Sequence, residues 1–331
     1  MDSHVAVTGA EGFIGSHLVE QLVANGHHVR AMTQYNSFGT RGWLDGLPAA
    51  VLDCVTVIPG DVRDVSTVTK LVAGCQTVYH LAALVSVPHS YEAPRMHVET
   101  NVLGTLNVLE AVRAAGIPRV VHTSTSETYG SARYVPMDEK HPQTAQSPYA
   151  ASKIGADRVA ESYHHAYGVP VVTVRPFNTF GPRQSLRAVI PTVICQALEG
   201  RREIHLGSLS PVRDFTYCGD TAAAFLAAGG APDDAVVGQV FNVGSGEAIS
   251  IGDLVALIGE IVGSPLHVEA DDQRVRPDSS EVSRLVCDSR LFRSTTAWSP
   301  QLTLREGLEL TVKWFSEPAN RSRYLSTAYA I

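Results

Sequence analysis

The sequence predicts an α/β fold: a doubly wound parallel sheet joined to a smaller mixed α/β region. Short apolar runs recur ahead of segments with helical spacing, at 5–8, 28–32, 55–58, 77–81, 119–123 and 170–175. A glycine-rich turn, Thr8-Gly9-Ala10-Glu11-Gly12-Phe13-Ile14-Gly15, joins the first run to the first helix. After residue 175 the alternation loosens into a Pro/Gly-interrupted crossover, Arg175-Pro176-Phe177-Asn178-Thr179-Phe180-Gly181-Pro182-Arg183.

Val5-Ala6-Val7 makes the first strand. Phe13, Ile14, Leu18, Val19, Leu22 and Val23 fall on one helical face, which predicts a helix over 12–25. The glycines between are spaced GxxGxxG. They leave no β-carbon where a backbone must approach a pyrophosphate at a helix N-terminus. Gly9, Gly12 and Gly15, with Phe13 and Ile14, are therefore the expected cradle of a dinucleotide. The second strand ends Arg30-Ala31-Met32-Thr33-Gln34, where an acid would take the ribose hydroxyls. Thr33 holds that position, and no Arg follows at once for a 2′-phosphate. This favours NAD; NADP stays open because Arg30 and Arg41 are nearby cations. Asp61 and Val62 end the third strand, and Asp61 also suits a helix N-cap. Helices are predicted over 65–73, 99–115 and 148–167.

Beyond the crossover come a helix over 188–199, a strand over 203–206 and the run Val212-Arg213-Asp214-Phe215-Thr216. A helix over 220–228, a strand over 239–243, an amphipathic helix over 250–263 and a helix over 303–315 follow. Residues 318–331 lack periodicity and are expected to be loosely attached. The domain reading is a cofactor domain over 1–175 with a return segment near 220–243. It interleaves with a substrate domain over 176–331, and the site is expected between them.

At 331 residues, 44% apolar and 18% charged, the chain has the composition of a soluble globular protein. A net charge of −7 argues against a nucleic-acid partner. No apolar run reaches membrane-spanning length, and the chain enters its first strand within a few residues. Neither a membrane span nor a signal peptide is expected. Cys54, Cys75, Cys195, Cys218 and Cys287 are scattered without CxxC spacing, so no disulfide framework and no metal site are expected, and the compartment reads as a reducing cytoplasm. His27-His28 and His164-His165 are sequence neighbours that point to different sides, and read as solvated side chains.

The chemistry concentrates in Thr123-Ser124-Thr125-Ser126-Glu127-Thr128-Tyr129-Gly130 and in Tyr149-Ala150-Ala151-Ser152-Lys153. Tyr149 and Lys153 lie one turn apart on one helix face. An ammonium beside the phenol is expected to lower its pKa, so that Tyr149 accepts a proton from an alcohol while a nicotinamide accepts the hydride. Glu127 adds a second base, which simple alcohol oxidation does not need.

GxxGxxG and YxxxK, together with His80-Leu81-Ala82-Ala83 and Asn101-Val102-Leu103-Gly104-Thr105, resemble the extended short-chain dehydrogenase/reductase superfamily over essentially the whole chain. The resemblance implies a Rossmann-type cofactor domain. It implies Asp61 at the adenine amino group, with Val62, Leu81, Ala82 and Ala83 along the cofactor. It also implies a homodimer through helices 99–115 and 148–167. In nucleotide-sugar members, the Asn of RPxNxxGP, the Arg of R-D-F and an Arg before Pro contact the nucleotide diphosphate; here these are Asn178, Arg213 and Arg276. Arg187, Gln184 and Ser86 are further substrate-side candidates. Asn242-Val243-Gly244-Ser245-Gly246 reads as a tight structural turn.

Ser124-Thr125-Ser126-Glu127 resembles the corresponding run of nucleotide-sugar 4,6-dehydratases. This implies Thr125 on the 4-hydroxyl and Glu127 as the base at carbon 5. Ser126 stands where many hexose dehydratases carry an acid. The runs Tyr35-Asn36-Ser37-Phe38…Gly42-Trp43-Leu44 and Arg274-Val275-Arg276-Pro277…Ser280-Glu281-Val282 resemble the dehydratases of legionaminic-acid-type pathways, which act on UDP- or GDP-linked N-acetylglucosamine. The alternatives are a nucleotide-sugar 4-epimerase, a UDP-glucuronate decarboxylase and a catalytically silent dinucleotide-binding protein. The decarboxylases carry Tyr-Asp-Glu-Gly-Lys where this chain has Tyr-Ala-Ala-Ser-Lys.

Overall fold

The computed structural model describes residues 4–271 and 280–324. β1 (His4–Thr8) passes through the glycine turn into α1 (Phe13–Ala24), and β2 (His28–Gln34) follows. α2 (Ala49–Leu52) precedes β3 (Val55–Gly60), and α3 (Val65–Val72) precedes β4 (Thr77–His80). α4 (Val87–Glu92) and α5 (Pro94–His97) lead into a π-helical turn, Val98–Leu103, and then α6 (Gly104–Ala115). β5 (Arg119–Thr123), a 3-10 turn over Ser126–Tyr129, α7 (Pro148–Tyr167) and β6 (Val171–Pro176) come next.

The remaining chain holds β7 (Asn178–Phe180), α8 (Val189–Leu198), β8 (Glu203–Leu206), β9 (Val212–Tyr217), α9 (Cys218–Gly230) and α10 (Asp233–Val236). These are followed by β10 (Val240–Val243), β11 (Ala248–Ser250), α11 (Ile251–Val262), β12 (His267–Ala270), α12 (Arg290–Thr296), α13 (Leu304–Ser316) and α14 (Pro318–Arg321).

Seven strands form one parallel sheet in the order β10-β6-β5-β4-β1-β2-β3. Its two faces are separated by strand alternation. Val5 and Val7 of β1 face a core with Leu18, Leu22 and Phe225 from α1 and α9. Ala6 faces the other core, built with Leu71, Val108, Leu109 and Ala160 from α3, α6 and α7. Both faces are covered, which is why the strands read as near-continuous apolar runs. The return of the chain is physical: α9 packs on the sheet, and β10 extends it beside β6 with Val240 opposite Thr173.

The smaller region has a three-stranded sheet, β11-β9-β7, and a two-stranded one, β12-β8. Its core joins Ile190 and Ile194 of α8, Leu254 and Ile258 of α11, and Leu308 and Phe315 of α13. The expected irregular crossover contains a strand, β7, because Asn178–Phe180 pair with Phe215–Tyr217 of β9. The tail is also not loose as far as it is described. Tyr324 packs 5.2 Å from Phe315 and 5.7 Å from Trp43, ring centre to ring centre, and Arg323 lies over the Trp43 ring. Aromatic contact anchors it where no periodicity announces it.

The glycine turn is set by close packing. Gly9 has a left-handed backbone, with φ +67°, and a β-carbon there would meet the Ala82 nitrogen at 2.8 Å. A β-carbon on Gly15 would lie 2.1 Å from the Gly9 carbonyl oxygen. Gly15→Ala should therefore lower stability by about 1–3 kcal/mol through overpacking. Thermal unfolding of the purified variant checks this; an unchanged midpoint would show that the turn relaxes freely.

Candidate active site

The C-terminal ends of the parallel strands open into a cleft of about 1640 Å³, walled on the far side by the smaller region. Gly9, Gly12, Phe13, Ile14, Gly15, Asp61, Val62, Leu81, Ala82 and Ala83 all line it. Gly12 is the N-cap of α1 and gives no side-chain hydrogen bond, so the first-turn N–H groups depend on another acceptor. A backbone cradle without β-carbons at a helix start fits the pyrophosphate of a dinucleotide.

One expectation about this end needs correction, and one open alternative loses its support. Thr33 is buried and absent from the cleft wall, whereas Met32 and Gln34 line it. β2 runs on to Gln34, and alternation turns residue 33 into the protein. The two cations named as possible phosphate ligands are engaged elsewhere. Arg30 donates to the Ala73 carbonyl, and Arg41 pairs with Asp45 at 2.7 Å. Asp61 lines the cleft with its carboxylate held by Arg63 at 2.6 Å.

On the catalytic side the structure brings together Thr125, Ser126, Glu127, Tyr149 and Lys153, all on the cleft wall. Thr125 is extended and caps the 3-10 turn, its hydroxyl accepting from the Glu127 N–H at 3.3 Å and hydrogen bonding to Tyr149. Ser147 caps α7, with Pro148 at its first turn, and this fixes the start of the Tyr149 helix. Lys153 donates to the Thr123 carbonyl at 2.6 Å. Burial draws its ammonium down to about 8, with Asp157 opposing.

The phenol was expected below its ordinary range; the protein alone holds it above. Burial is the main cause. The Thr125 hydrogen bond works against it, and the charges of Glu127 and Asp157 add to it. Lys153 is spent on a carbonyl and is itself desolvated, so it does not deliver the expected depression.

Residues that the sequence reading used only as family markers turn out to connect the two ends. Thr8 accepts from the Leu81 and Ala82 N–H groups, both at 3.1 Å, so its own proton goes to His80 Nδ1 at 2.8 Å. His80 Nε2–H then donates to Thr105 at 3.0 Å, and Thr105 to the Asn101 carbonyl at 2.6 Å. Burial keeps the His80 imidazole neutral, as this chain of donors requires. Asn101, inside the π-helical turn, grips Leu84 through both N–H and C=O and donates to Ser152 at 2.9 Å. Ser152 donates to the Tyr149 carbonyl at 2.7 Å.

Behind Lys153 lies a buried charge cluster that the sequence reading missed. Asp157 accepts from Ser124 at 2.8 Å and Arg175 at 2.9 Å, and meets His122 at 3.1 Å. Burial alone would raise its pKa. His122, Arg175 and Lys153 outweigh that and hold the carboxyl well below the ordinary range. Its i,i+4 spacing from Lys153 was visible, but its partners come from β5 and β6.

On the substrate side, Ser86, Asn178, Gln184, Arg187 and Arg213 line the cleft. Ser86 caps α4 by accepting from the His89 N–H at 3.2 Å. Arg213 is buried and pairs with Glu281 at 3.1 Å. Arg276 lies outside the described residues. The N–H groups of Ser245 and Gly246 point to Asp214, at 3.0 and 2.9 Å, so that turn is occupied internally. Among the described residues no group of three His, Cys, Asp or Glu side chains is placed to hold a metal ion. No described helix is long and apolar enough to cross a membrane.

A family model described as GDP-mannose 4,6 dehydratase matches residues 6–311. The chain belongs to this family of nucleotide-sugar dehydratases and epimerases. Its Rossmann-type sheet and its glycine turn are those of the extended short-chain dehydrogenase/reductase superfamily. It is 35% identical to a UDP-glucose 4-epimerase of Mycolicibacterium smegmatis over 93% of this chain and 97% of that protein. It is 32% identical to a dTDP-glucose 4,6-dehydratase of Actinoplanes sp. over 96% of this chain and 98% of that protein. Among solved structures it is similar to the dTDP-glucose 4,6-dehydratase DesIV of Streptomyces venezuelae, solved with NAD bound. That match has a TM-score of 0.85 and 30% identity, covering 97% of this chain and 98% of that one.

Asp157→Asn removes the counter-charge of buried Arg175 and should cost about 3–5 kcal/mol at neutral pH. Because the folded carboxyl titrates below its ordinary range, its contribution is complete above a pH of about 3.9 and fades as the pH falls below it. Urea unfolding of both proteins at neutral and acid pH checks this: the gap should narrow only in acid.

Proposed function

We propose that the protein is an NAD-dependent nucleotide-sugar 4,6-dehydratase, with UDP- or GDP-linked N-acetylglucosamine as its substrate and a homodimer as its working form. The observation that carries the reading is Glu127 beside Thr125 and Tyr149 on one wall of the cleft. The glycine cradle and the NAD in the solved relative support the cofactor. The glycine turn and Asp61 would hold NAD, which would supply reversible hydride acceptance between carbon 4 and carbon 6 and a positive charge favouring the phenolate that burial disfavours.

Every other step falls to this chain's own groups. Thr125 orients the 4-hydroxyl and Tyr149 takes its proton. The resulting ketone acidifies the proton on carbon 5. Glu127 removes it and passes it, directly or through the Ser126 hydroxyl, to the 6-hydroxyl, which leaves as water. Carbon 5 regains a proton from solvent as carbon 6 takes the hydride, and Tyr149 releases its proton to solvent. Lys153, fixed on the Thr123 carbonyl, places a positive group near the proton path. Arg213 and Asn178 hold the diphosphate.

A 4-epimerase needs the Tyr149–Thr125 pair but no base at carbon 5. It is the second reading, favoured by the 35% identical epimerase. Product analysis with UDP- and GDP-N-acetylglucosamine separates the two, because dehydration removes the mass of one water and epimerisation changes no mass. A dehydratase run in deuterated water should carry deuterium at carbon 5.

Tyr149→Phe should lower turnover about a hundred- to ten-thousand-fold while leaving NAD binding nearly intact. Steady-state kinetics beside a binding titration checks this; near-normal turnover would remove Tyr149 from the mechanism. Glu127→Gln should still pass hydride from carbon 4 and then stall. Reduced cofactor and a bound 4-keto-hexose should accumulate in a single-turnover absorbance experiment. Formation of 4-keto-6-deoxy sugar at the wild-type rate would show that Glu127 is not the base.

A further inference from the structure

The end of β2 presents no acid to the cleft: Thr33 is turned inward and Gln34 follows it. A carboxylate nonetheless reaches that point from the glycine turn. Glu11 lines the cleft, and its Oε1 accepts from the Gln34 N–H at 2.8 Å. Its backbone carbonyl accepts from the Trp43 N–H at 3.0 Å. The segment between, residues 35–43, is a strap closed on itself by Asn36, which accepts from the Phe38 and Thr40 N–H groups and donates to the Gln34 and Thr40 carbonyls. Gly42 of the strap sits on the Glu11 side chain: a β-carbon there would meet Glu11 Cβ at 2.9 Å. Thus the Tyr35–Leu44 run, which no catalytic step uses, presses one acid against the tip of β2.

We infer that Glu11 takes the place of the missing strand-end acid, binding the adenosine ribose hydroxyls and selecting NAD over NADP. This rests on the NAD reading above and deepens it. The Glu11 Oε2 takes no hydrogen bond from any described group, and it is shielded from the cleft, so a small rotation of the carboxylate would bring it to the donor that a ribose hydroxyl supplies. Burial raises the Glu11 pKa, with the Gln34 N–H opposing, as expected of a carboxylate without a cationic partner. The cations on the nearby cleft wall do not neutralise it. Arg63 is held by Asp61 and Arg323 lies over Trp43. A 2′-phosphate would meet a buried like charge, whereas two hydroxyls meet an acceptor.

The test uses full-length protein stripped of carried nucleotide, with NAD and NADP each titrated by calorimetry. Wild type should bind NAD more tightly. Glu11→Gln keeps the side-chain shape and an oxygen for the Gln34 N–H but loses the charge. It should weaken NAD about ten- to a hundredfold and bring NADP level with it. Moving the acid to the strand end, in Glu11→Gln with Gln34→Glu, should restore the preference for NAD. Equal weakening of both dinucleotides by Glu11→Gln, with a lowered unfolding midpoint, would show that Glu11 only staples the strap and would overturn the assignment. So would an unchanged ratio of the two affinities. A wild type that binds neither dinucleotide would overturn the cofactor reading itself, and this inference with it.

Discussion

The directional hydrogen-bond chain from Thr8 through His80 and Thr105 to Asn101 is the constraint on which the rest of the site depends. Each hydroxyl in it has one proton, and each proton has one destination. Thr8 therefore fixes the tautomer of His80, and His80 fixes the orientation of Thr105. At its far end Asn101 holds the 81–84 segment on one side and the Tyr149 helix on the other, through Ser152. The cofactor cradle and the proposed proton acceptor are parts of one rigid polar frame. A small shift of α7 would be felt at the glycine turn, and the reverse.

Asp157 does for charge what that chain does for geometry. It sits one turn beyond Lys153 and gathers Ser124 and His122 from the β5 end and Arg175 from β6. A carboxylate with that many partners is costly to protonate and costly to lose. The positive charge of Lys153 can thus be buried beside the cleft, where water would otherwise screen it. The tyrosine and lysine are held a turn apart by the helix, and kept in place by groups from three different elements.

Much of this was legible in the sequence, for local reasons. The strand at 119–123, the helix at 148–167 and the strand at 203–206 appear where they were expected, because apolar runs, Ser147 and Pro148 mark their limits in the chain itself. The cleft-lining positions of Gly9, Gly12, Gly15, Glu127, Tyr149 and Lys153 followed from motif spacing. What was not legible depends on distant partners. Thr33 was misplaced because it is still part of the alternating strand: it points inward between Met32 and Gln34, which both line the cleft. The phenol's direction was missed because it depends on burial from all sides and on a backbone carbonyl that claims Lys153. The π-helical turn falls inside the predicted 99–115 helix, and its wider backbone hydrogen-bond spacing leaves no mark on the apolar pattern. Glu11 reads as an ordinary filler between two glycines until the strap is folded over it.

The seven-stranded sheet is completed out of chain order. β10 is made some sixty residues after β6, yet it is the strand that covers β6. During synthesis β6 is therefore an open border of the sheet, carrying Val171, Val172 and Val174, all of which are buried once folding is finished. A ribosome that pauses in the intervening segment leaves a sticky apolar ribbon available to other chains. The smaller region is thus also a delay built into assembly, and yield of active protein in a cell will depend on how quickly residues 240–243 emerge and dock.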